Sequence, residues 1–377
     1  MNPTIPMPGT TPETGAPAPN RSARAELGAW LDAHAESLDT EPALAAELLP
    51  RLARGGVFGL GVPVADGGAG GSIADAIEAV AEVATHSLAA AFVLWGHRTF
   101  IEYVLRADQD ALRERWLPPL LRGEIAGATG LSNAMKYLSN IESLQMRATR
   151  HADGHALAGS LPWITNLRPE GFLAAAAFEH DDGAAPSIFA LPHAAAGVAR
   201  SDDLDLIALR ATNTAALRVD GTVLDASWRI AADAPAFLAR VRPAFLGLQC
   251  GMSVGLAGRA LAAAADAGHA TRDVIADEIE TTRAALAAQR ERLLAGVLDG
   301  SFLARPAELF ELRIALVASV EAAVALEVQA VGGRGYLRGQ GGTARRVREA
   351  AFVPIVTPSL VQLKTQLARH RQPAATA

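Results

Sequence analysis

The residues of this 377-residue chain that could carry chemistry fall in three short segments. In W-I-T-N at 163–166, an indole ring can stack on a flat ring system, and the Thr165 hydroxyl can donate a hydrogen bond. In Q-A-V-G-G-R-G-Y at 329–336, glycines let the backbone approach a phosphate, which exposed amides can bind. In G-A-T-G-L-S-N at 127–133, Ser132 offers a second hydroxyl. Together these residue types suit a ligand with a flat ring and phosphate groups.

Further single residues have both a chemical and a structural interpretation. His97, on a predicted helix, has a pKa range that suits acid–base chemistry, although such a histidine also fits a packing role. Arg242, before an apolar helix predicted over 244–265, can bind a carboxylate or phosphate, or can cap that helix. Trp163 alone also fits a buried residue at a strand end, and Ser132 alone fits a plain loop. Cys250 is predicted to be inert core.

Composition excludes several classes of protein. Half of the residues are hydrophobic, which is enough for a core and excludes wholesale disorder. A net charge of −6 argues against a nucleic-acid binder. A single cysteine excludes a disulfide framework and a cysteine-built zinc site, and no metal is predicted. The first 20 residues lack a secretory signal, and the nearly uncharged stretch 243–258 is too short to span a bilayer, so we expect a cytoplasmic protein without a membrane partner.

The elements that must position these residues change in type twice along the chain. After a disordered tail predicted over 1–21, apolar residues at three- and four-residue spacing predict helices over 22–121. Short apolar runs bounded by Asp-Gly pairs at 153–154, 182–183 and 220–221 predict a β domain over 122–234, with a hairpin at the first pair. Helical periodicity returns over 235–377, with apolar helices over 244–265 and 312–330, and Glu327 on the polar edge of the second.

This order and these motifs resemble the acyl-CoA dehydrogenase superfamily of flavoproteins, over most of residues 40–369. The resemblance implies an α+β fold with an N-terminal helical domain, a middle β-barrel or sandwich domain and a C-terminal four-helix bundle. It implies a flavin-dependent oxidoreductase that acts on the CH–CH bond of an acyl thioester, with Arg242 at the substrate. The implied FAD-binding residues are Leu131, Ser132, Trp163, Thr165, Gln329, Gly332, Gly333 and Gly335.

The resemblance also implies partners. In the superfamily, the segment matched by 329–336 contacts the FAD of a neighbouring subunit, so a homodimer or homotetramer is expected, and a heteromer is an alternative. The arginine-rich stretch 345–350 resembles the R-x-x-R-D-A helix that follows this segment, with Glu in place of Asp.

Three departures from the superfamily pattern matter. The glutamate that removes the substrate α-proton is replaced by Thr357 or a neighbour, and the alternative position of that glutamate is Val241. The glycine-rich turn that helps to hold the thioester reads M-K-Y-L-S-N at 135–140. The R-x-F-G segment is missing from 266–280, where Arg272 is a partial substitute, so FMN is an alternative to FAD. The catalytic residues are therefore unknown, with His97 and Thr357 as candidates.

Three functions are compatible with these departures. One is α,β-dehydrogenation of an acyl thioester with a base from an unexpected position. The second is a flavin-dependent monooxygenase on the same fold, which needs no α-proton base. The third is a non-catalytic subunit of a heteromeric dehydrogenase, which contributes 329–336 to the FAD of its partner.

Overall fold

The computed structural model describes residues 21–267, 272–337 and 342–371. The tail predicted over 1–21 lies outside the described residues except for Arg21, and so do residues 268–271 of the stretch 266–280, where the R-x-F-G segment is missing. The first part is helical, with a short 3-10 turn at Val64–Asp66. Its helices are α1 (Arg21–Thr40), α2 (Ala45–Arg54), α3 (Ile73–His86), α4 (Leu88–Leu105) and α5 (Asp110–Leu121).

Short apolar runs form the middle part, which holds eight strands and one short helix. The elements are β1 (Ala126–Thr129), α6 (Ser132–Leu138), β2 (Met146–His151), β3 (Gly154–Ile164), β4 (Phe172–His180), β5 (Ser187–Pro192), β6 (Val198–Arg200), β7 (Ala215–Leu224) and β8 (Arg229–Ala231). The strand order is β6-β7-β3-β2-β4-β5-β8, and β1 pairs with β4 in parallel. A short parallel pairing of β2 with β4 joins the two halves of this sheet.

The hairpin predicted at 153–154 is confirmed, because β2 and β3 pair antiparallel across this turn. The prediction of a turn at 220–221 is wrong, because this pair lies inside the continuous strand β7. Gly221 adopts a φ of 67°, and the pairing of β3 with β7 shifts register between Leu157 and Gly159. A glycine at positive φ inside a strand produces such a bulge rather than a reversal of the chain.

The last part is helical again. Its helices are α7 (Ala234–Asp266), α8 (Ala276–Leu298), α9 (Ser301–Ala304), α10 (Pro306–Val331), α11 (Thr343–Phe352) and α12 (Leu360–Arg371). Arg242 does not precede this first helix as predicted, because α7 begins at Ala234 and Pro243 lies inside it. The side chain of Asp233 accepts a hydrogen bond from the Ala236 amide and caps the earlier start. The α+β class and the order of helices, strands and helices are confirmed, while the division into domains stays a prediction.

Helix α7 is the central element of the molecule. It packs against α3, α4, α8 and α10, and it is apolar and buried on nearly all sides over 244–257. By length and composition α7 and the stretch Pro306–Tyr336 could each cross a membrane, but 89% of the α7 window is buried inside the protein, as in a core helix. The second window is 50% buried, so α10 keeps one exposed apolar side.

Candidate functional site

The ends of β1 and β3 and helix α4 meet at one place, and they bring together the residues expected at the flavin ring. A Cβ at Gly130 would lie 2.8 Å from Leu161 Cδ1, and a Cβ at Gly96 would lie 3.0 Å from Thr165 Cγ2. Only glycine permits such close packing at these two positions. Ser132 begins α6 directly after β1, and the Leu131 side chain is buried beneath it.

The two residues expected from W-I-T-N differ in their surroundings. Trp163 is 60% exposed, so the interpretation of a buried tryptophan is wrong, and the indole is free to stack on a ligand or a neighbouring chain. Thr165 is buried, and its hydroxyl donates to the Thr212 carbonyl oxygen at 3.2 Å. In this arrangement the hydroxyl proton of Thr165 already has an acceptor inside the protein.

Thr357, at the position expected for the catalytic glutamate, joins a chain of hydrogen bonds that ends at a buried arginine. The Ser132 hydroxyl donates to Thr357 Oγ1 at 3.3 Å, and Gln249 Nε2 donates to the Thr357 carbonyl at 2.9 Å. Arg313 Nε donates to Gln249 Oε1 at 2.8 Å, and its Nη2 donates to the Val353 carbonyl. No carboxylate belongs to this chain of described residues, so a proton acceptor effective near neutral pH is missing from it.

Arg242 lines a small cavity between α6, α7, α10 and α12. Its guanidinium carbon lies 5.7 Å from the centre of the Phe310 ring, and burial lowers the pKa of Arg242. The cavity volume is about 10 Å³, and none of the lining residues is a carboxylate: Met135, Ser139, Arg242, Phe245, Leu246, Phe310, Pro358 and Gln366. This volume is room for about one water molecule. Met135 and Ser139, from the stretch 135–140, thus lie against this small cavity.

His97 lies in the core with both ring nitrogens engaged. Nε2 bonds to the Leu120 carbonyl oxygen at 2.9 Å, and Nδ1 accepts the Gly127 amide proton at 2.9 Å. These two partners fix the neutral tautomer that carries its proton on Nε2. Burial lowers the pKa of His97 to about 4. The candidate acid–base role of His97 is therefore replaced by the packing role, since the ring ties β1 to the end of α5.

The segment 329–336 is exposed at the C-terminal end of α10, where a short 3-10 turn follows at Gly332–Tyr336. Gly332 adopts a φ of 63° and a ψ of −152°, which side chains rarely allow. A Cβ at Gly333 would meet no atom within 4 Å, whereas one at Gly335 would lie 3.0 Å from Thr343 Cγ2. The described packing therefore explains glycine at 335 and leaves glycine at 333 unexplained by the chain's own contacts.

A cleft of about 400 Å³ opens beside this turn, between the ends of α7, α10 and α11. Its lining holds three arginines and one carboxylate: Arg259, Ala263, Asp266, Ala267, Val331, Arg334, Thr343 and Arg346. Gln329 lies on the exposed side of α10 near the cleft, and its Nε2 donates to the Ala325 carbonyl oxygen. The cleft is positively charged and large enough for part of a nucleotide.

Helix α11, which resembles the R-x-x-R-D-A helix, is fixed by buried ion pairs. Arg346 pairs with Glu327, which also accepts from the Thr343 hydroxyl at 2.6 Å. Glu327 is fully buried, so its predicted place on a polar edge is wrong. Arg345 pairs with Glu349, and Arg348 pairs with Asp39 at 2.7 Å. Of these arginines, Arg346 lines the cleft and forms its floor.

The described residues suit a dinucleotide flavin at two places. The exposed face of Trp163 and the half-buried Ser132 suit a ring system, and the open backbone at Gly333 beside the arginine-lined cleft suits phosphate groups. The binding roles of Leu131, Ser132, Trp163, Thr165 and the 329–336 residues stay predictions.

Sequence reasoning missed three residues at these places. Gln249 and Arg313 connect to Thr357, and Arg259 lines the cleft. A polar Gln249 within an otherwise apolar helix was a visible signal. Arg259 and Arg313 gave no such signal in the sequence, because their positions depend on the packing of α7 against α10, which is a tertiary contact.

Comparisons with known proteins agree with this architecture. A family model described as acyl-CoA dehydrogenase, N-terminal domain, matches residues 20–124. The chain is 27% identical over 177 residues to the mitochondrial isovaleryl-CoA dehydrogenase of Pongo abelii, an alignment that covers 45% of this chain and 41% of the relative. The chain thus matches less than half the length of that relative.

Solved structures match over nearly the whole chain. A glutaryl-CoA dehydrogenase in complex with glutaryl-CoA has a TM-score of 0.80 at 19% identity, and 92% of this chain and 93% of that chain are covered. The dibenzothiophene monooxygenase of Paenibacillus sp. A11-2 has a TM-score of 0.75 at 19% identity, with coverage of 93% and 97%. At these identities the likeness shows the fold, and with the family model it confirms the resemblance seen in the sequence. The chain therefore has the fold of the acyl-CoA dehydrogenases, and its residues 20–124 match the N-terminal domain of that family.

Proposed function

We propose that this protein is a flavin-dependent oxidoreductase that acts on an acyl thioester or a related substrate. One observation carries the proposal: the glycine segment at Gly332–Tyr336 leaves the Gly333 backbone open beside a cleft of about 400 Å³ lined by arginines. Exposed amides and guanidinium groups together bind phosphate. The match of residues 20–124 to the acyl-CoA dehydrogenase family model supports the reaction class, and FAD is the cofactor that we propose.

A second copy of the chain completes the flavin site in this proposal. The exposed side of α10 presents mostly small and apolar side chains at helical spacing, namely Ala318, Glu321, Ala322, Ala325, Val328 and Gln329. Tyr336, next to this side, is 91% exposed. Such a helix face buries apolar area when another helix packs on it. We therefore propose a homodimer or homotetramer, without nucleic acid or membrane, in the cytoplasm.

The residues at the ring end position a cofactor rather than move a proton. A bound flavin supplies a two-electron acceptor that can take up a hydride. Trp163 covers one face of the ring system, and Ser132 is held toward it by its bond to Thr357. Neither Thr357 nor Gln249 can accept the α-proton of a thioester near pH 7. An acyl chain also needs more space than the cavity of about 10 Å³ beside Arg242 offers.

The missing base favours a second candidate, a monooxygenase on the same fold. Such a reaction does not require removal of an α-proton, so the carboxylate-free chain from Ser132 to Arg313 is no obstacle to it. The closed cavity favours the third candidate equally, a subunit that binds cofactor and leaves acyl chemistry to a partner.

The visible absorption spectrum of the purified protein, with the released cofactor identified by mass, tests the proposal. Stoichiometric FAD or FMN supports a flavin oxidoreductase. Loss of the yellow colour on anaerobic addition of an acyl-CoA then identifies a dehydrogenase, whereas loss only with a chemical reductant, followed by substrate oxygenation in air, identifies a monooxygenase. A colourless protein that takes up neither flavin contradicts both enzymatic candidates.

A further inference from the structure

Asp39, a buried carboxylate on α1, binds the backbone of a loop in the middle part of the chain. Its Oδ1 accepts the Leu209 amide proton at 2.9 Å. We propose that Asp39 is a positioning residue for the segment 163–166, which it holds in place for a flavin ring through Leu209 and Thr212. The inference rests on the proposed function, and it adds a residue that lies outside both places assigned to the flavin.

Strained backbone marks the loop that Asp39 holds. Four non-glycine residues of the described chain have a positive φ, and three of them lie here: Asn166 at 63°, Leu209 at 57° and Asn213 at 45°. Asparagine tolerates this conformation, whereas a leucine in it is an outlier. Such backbone persists only where its surroundings fix it. Leu209 is buried, and it is the residue whose amide Asp39 binds.

Hydrogen bonds carry this constraint from Leu209 to the segment 163–166. The Leu209 carbonyl oxygen accepts from the Thr212 hydroxyl at 2.8 Å. The Thr212 carbonyl oxygen in turn accepts the Asn166 amide proton at 2.9 Å, and it accepts the Thr165 hydroxyl proton at 3.2 Å. The backbone next to the exposed tryptophan is therefore held by the loop that the carboxylate fixes.

The charge of Asp39 strengthens this hold. A hydrogen bond from a backbone amide to a carboxylate is about twice as strong as one between neutral groups. Arg348, on α11, donates to Oδ2 of Asp39 at 2.8 Å and offsets the buried charge. Glu36 accepts from the same arginine at 2.8 Å, but its side chain is 38% exposed and the Leu209 amide is bound by Asp39. Glu36 is therefore a matched control for Asp39.

Hydrogen–deuterium exchange and flavin titration of the full-length chain at pH 7.5 test the inference. The Asp39 carboxylate is ionised at this pH, since its pKa is about 6. In D39A we expect the amides of Asn166 and Leu167, which donate to this loop, to exchange at least about tenfold faster than in the wild type. The affinities for FAD and for FMN both fall about tenfold or more, because apparent affinity falls with the fraction of molecules whose binding segment is in place.

Three comparisons separate this effect from a general loss of stability. E36Q removes the exposed partner of Arg348 and changes the exchange rates and both affinities by no more than about twofold. D39N keeps an oxygen that can accept the Leu209 amide proton, so it lies between the wild type and D39A. Because glycine adopts a positive φ without strain, D39A/L209G should bind both flavins about threefold or more tightly than D39A/L209A, which lacks the same leucine side chain.

The outcomes distinguish the inference from the proposed function. If the wild type binds flavin and D39A matches it in amide exchange or in both affinities, the inference is wrong and the flavin function stands. Weaker binding of FAD alone also contradicts the inference, since α11 carries both Arg348 and the floor of the cleft. If D39A does not fold, equal exchange in D39N and E36Q contradicts it. If the wild type binds neither flavin, the proposed function is wrong and the inference is wrong with it.

Discussion

The two ends of helix α7 offer opposite surroundings. Near Arg242 the helix is covered by α6 and α12, and the cavity there has a volume of about 10 Å³. Near Arg259 the helix borders a cleft of about 400 Å³ that is lined by three arginines. From Arg242 to Arg259 these regions are roughly 25 Å apart along the helix axis, at 1.5 Å per residue.

The difference between the two ends coincides with the departures of the sequence from the superfamily pattern. The closed end is built from the stretches that differ from the superfamily pattern, 135–140 and 354–360, and the open end from the stretch that matches it, 329–336. A guanidinium of Arg369 bonds to the Ser139 carbonyl and holds α12 against α6. The closed end has room for about one water molecule, whereas the open end has room for part of a nucleotide.

The largest effect is expected at the floor of the open end. The substitution Glu327→Ala removes the buried carboxylate that pairs with Arg346, which costs about 3–5 kcal/mol of the free energy of unfolding. The matched control Glu321→Ala, on the exposed side of the same helix, stays within about 0.5 kcal/mol. Urea unfolding followed by circular dichroism measures both. Equal losses in the two variants would show that the ion pair does not support the cleft.

Acid should weaken the packing of β1 against the end of α5 through His97. Its pKa is about 4 in the folded protein and 6.5 in the unfolded chain, so the neutral ring contributes stability above pH 6.5 that is lost as the pH falls toward 4. The full loss is about 3 kcal/mol. We expect faster amide hydrogen exchange at Gly127 at pH 4.5 than at pH 7 after correction for the intrinsic rate. Unchanged protection of the Gly127 amide would mean that the imidazole stays neutral at pH 4.5, or that its hydrogen bond to Gly127 is not required for this protection.

Protonation of Asp39 opposes the loss of stability that acid causes through His97. Burial and the nearby Glu349 raise the pKa of Asp39 from 3.8 to about 6, although the Leu209 amide and Arg348 lower it. The protonated form contributes stability below pH 3.8 that is lost as the pH rises through 6. Between pH 4 and 6 the stability lost through His97 on acidification is therefore nearly offset by the stability gained through Asp39. The variant Asp39→Asn should lose stability more steeply on acidification than the wild type, and parallel pH profiles from urea unfolding would contradict this assignment.

The sequence predicts the architecture better than the site. Helical periodicity, the Asp-Gly pair at 153–154 and the apolar helices give the order of elements, because these signals are local. The bulge at Gly221 was not predictable, since the same pair makes a turn or a bulge depending on the partner strand. His97 shows the same limit for chemistry: its residue type suits catalysis, and only the packing of α4 on β1 shows that both nitrogens are engaged.

At the open end, substitutions of two neighbouring glycines distinguish a conformational role from a binding role. Gly332→Ala places a side chain at a φ of 63° and costs about 1–3 kcal/mol. Gly333→Ala leaves the free energy of unfolding within about 0.5 kcal/mol, because its methyl group meets nothing. It should nevertheless weaken FAD binding by obstructing the backbone. Urea unfolding and flavin titration of both variants measure this, and unchanged FAD affinity in Gly333→Ala would exclude the turn from the binding surface.

The smallest effect is expected at Arg242, at the closed end. No carboxylate of the described residues pairs with this arginine, burial disfavours its charge, and its guanidinium lies over Phe310. Arg242→Met keeps the apolar part of the side chain, so the free energy of unfolding should change by no more than about 0.5 kcal/mol or rise slightly. Arg346→Met, at the open end, is the contrasting variant, because it leaves the buried Glu327 unpaired and should be strongly destabilising. Urea unfolding of both tests the comparison, since a large loss in Arg242→Met would mean that the closed end depends on this cation as the open end depends on its ion pair.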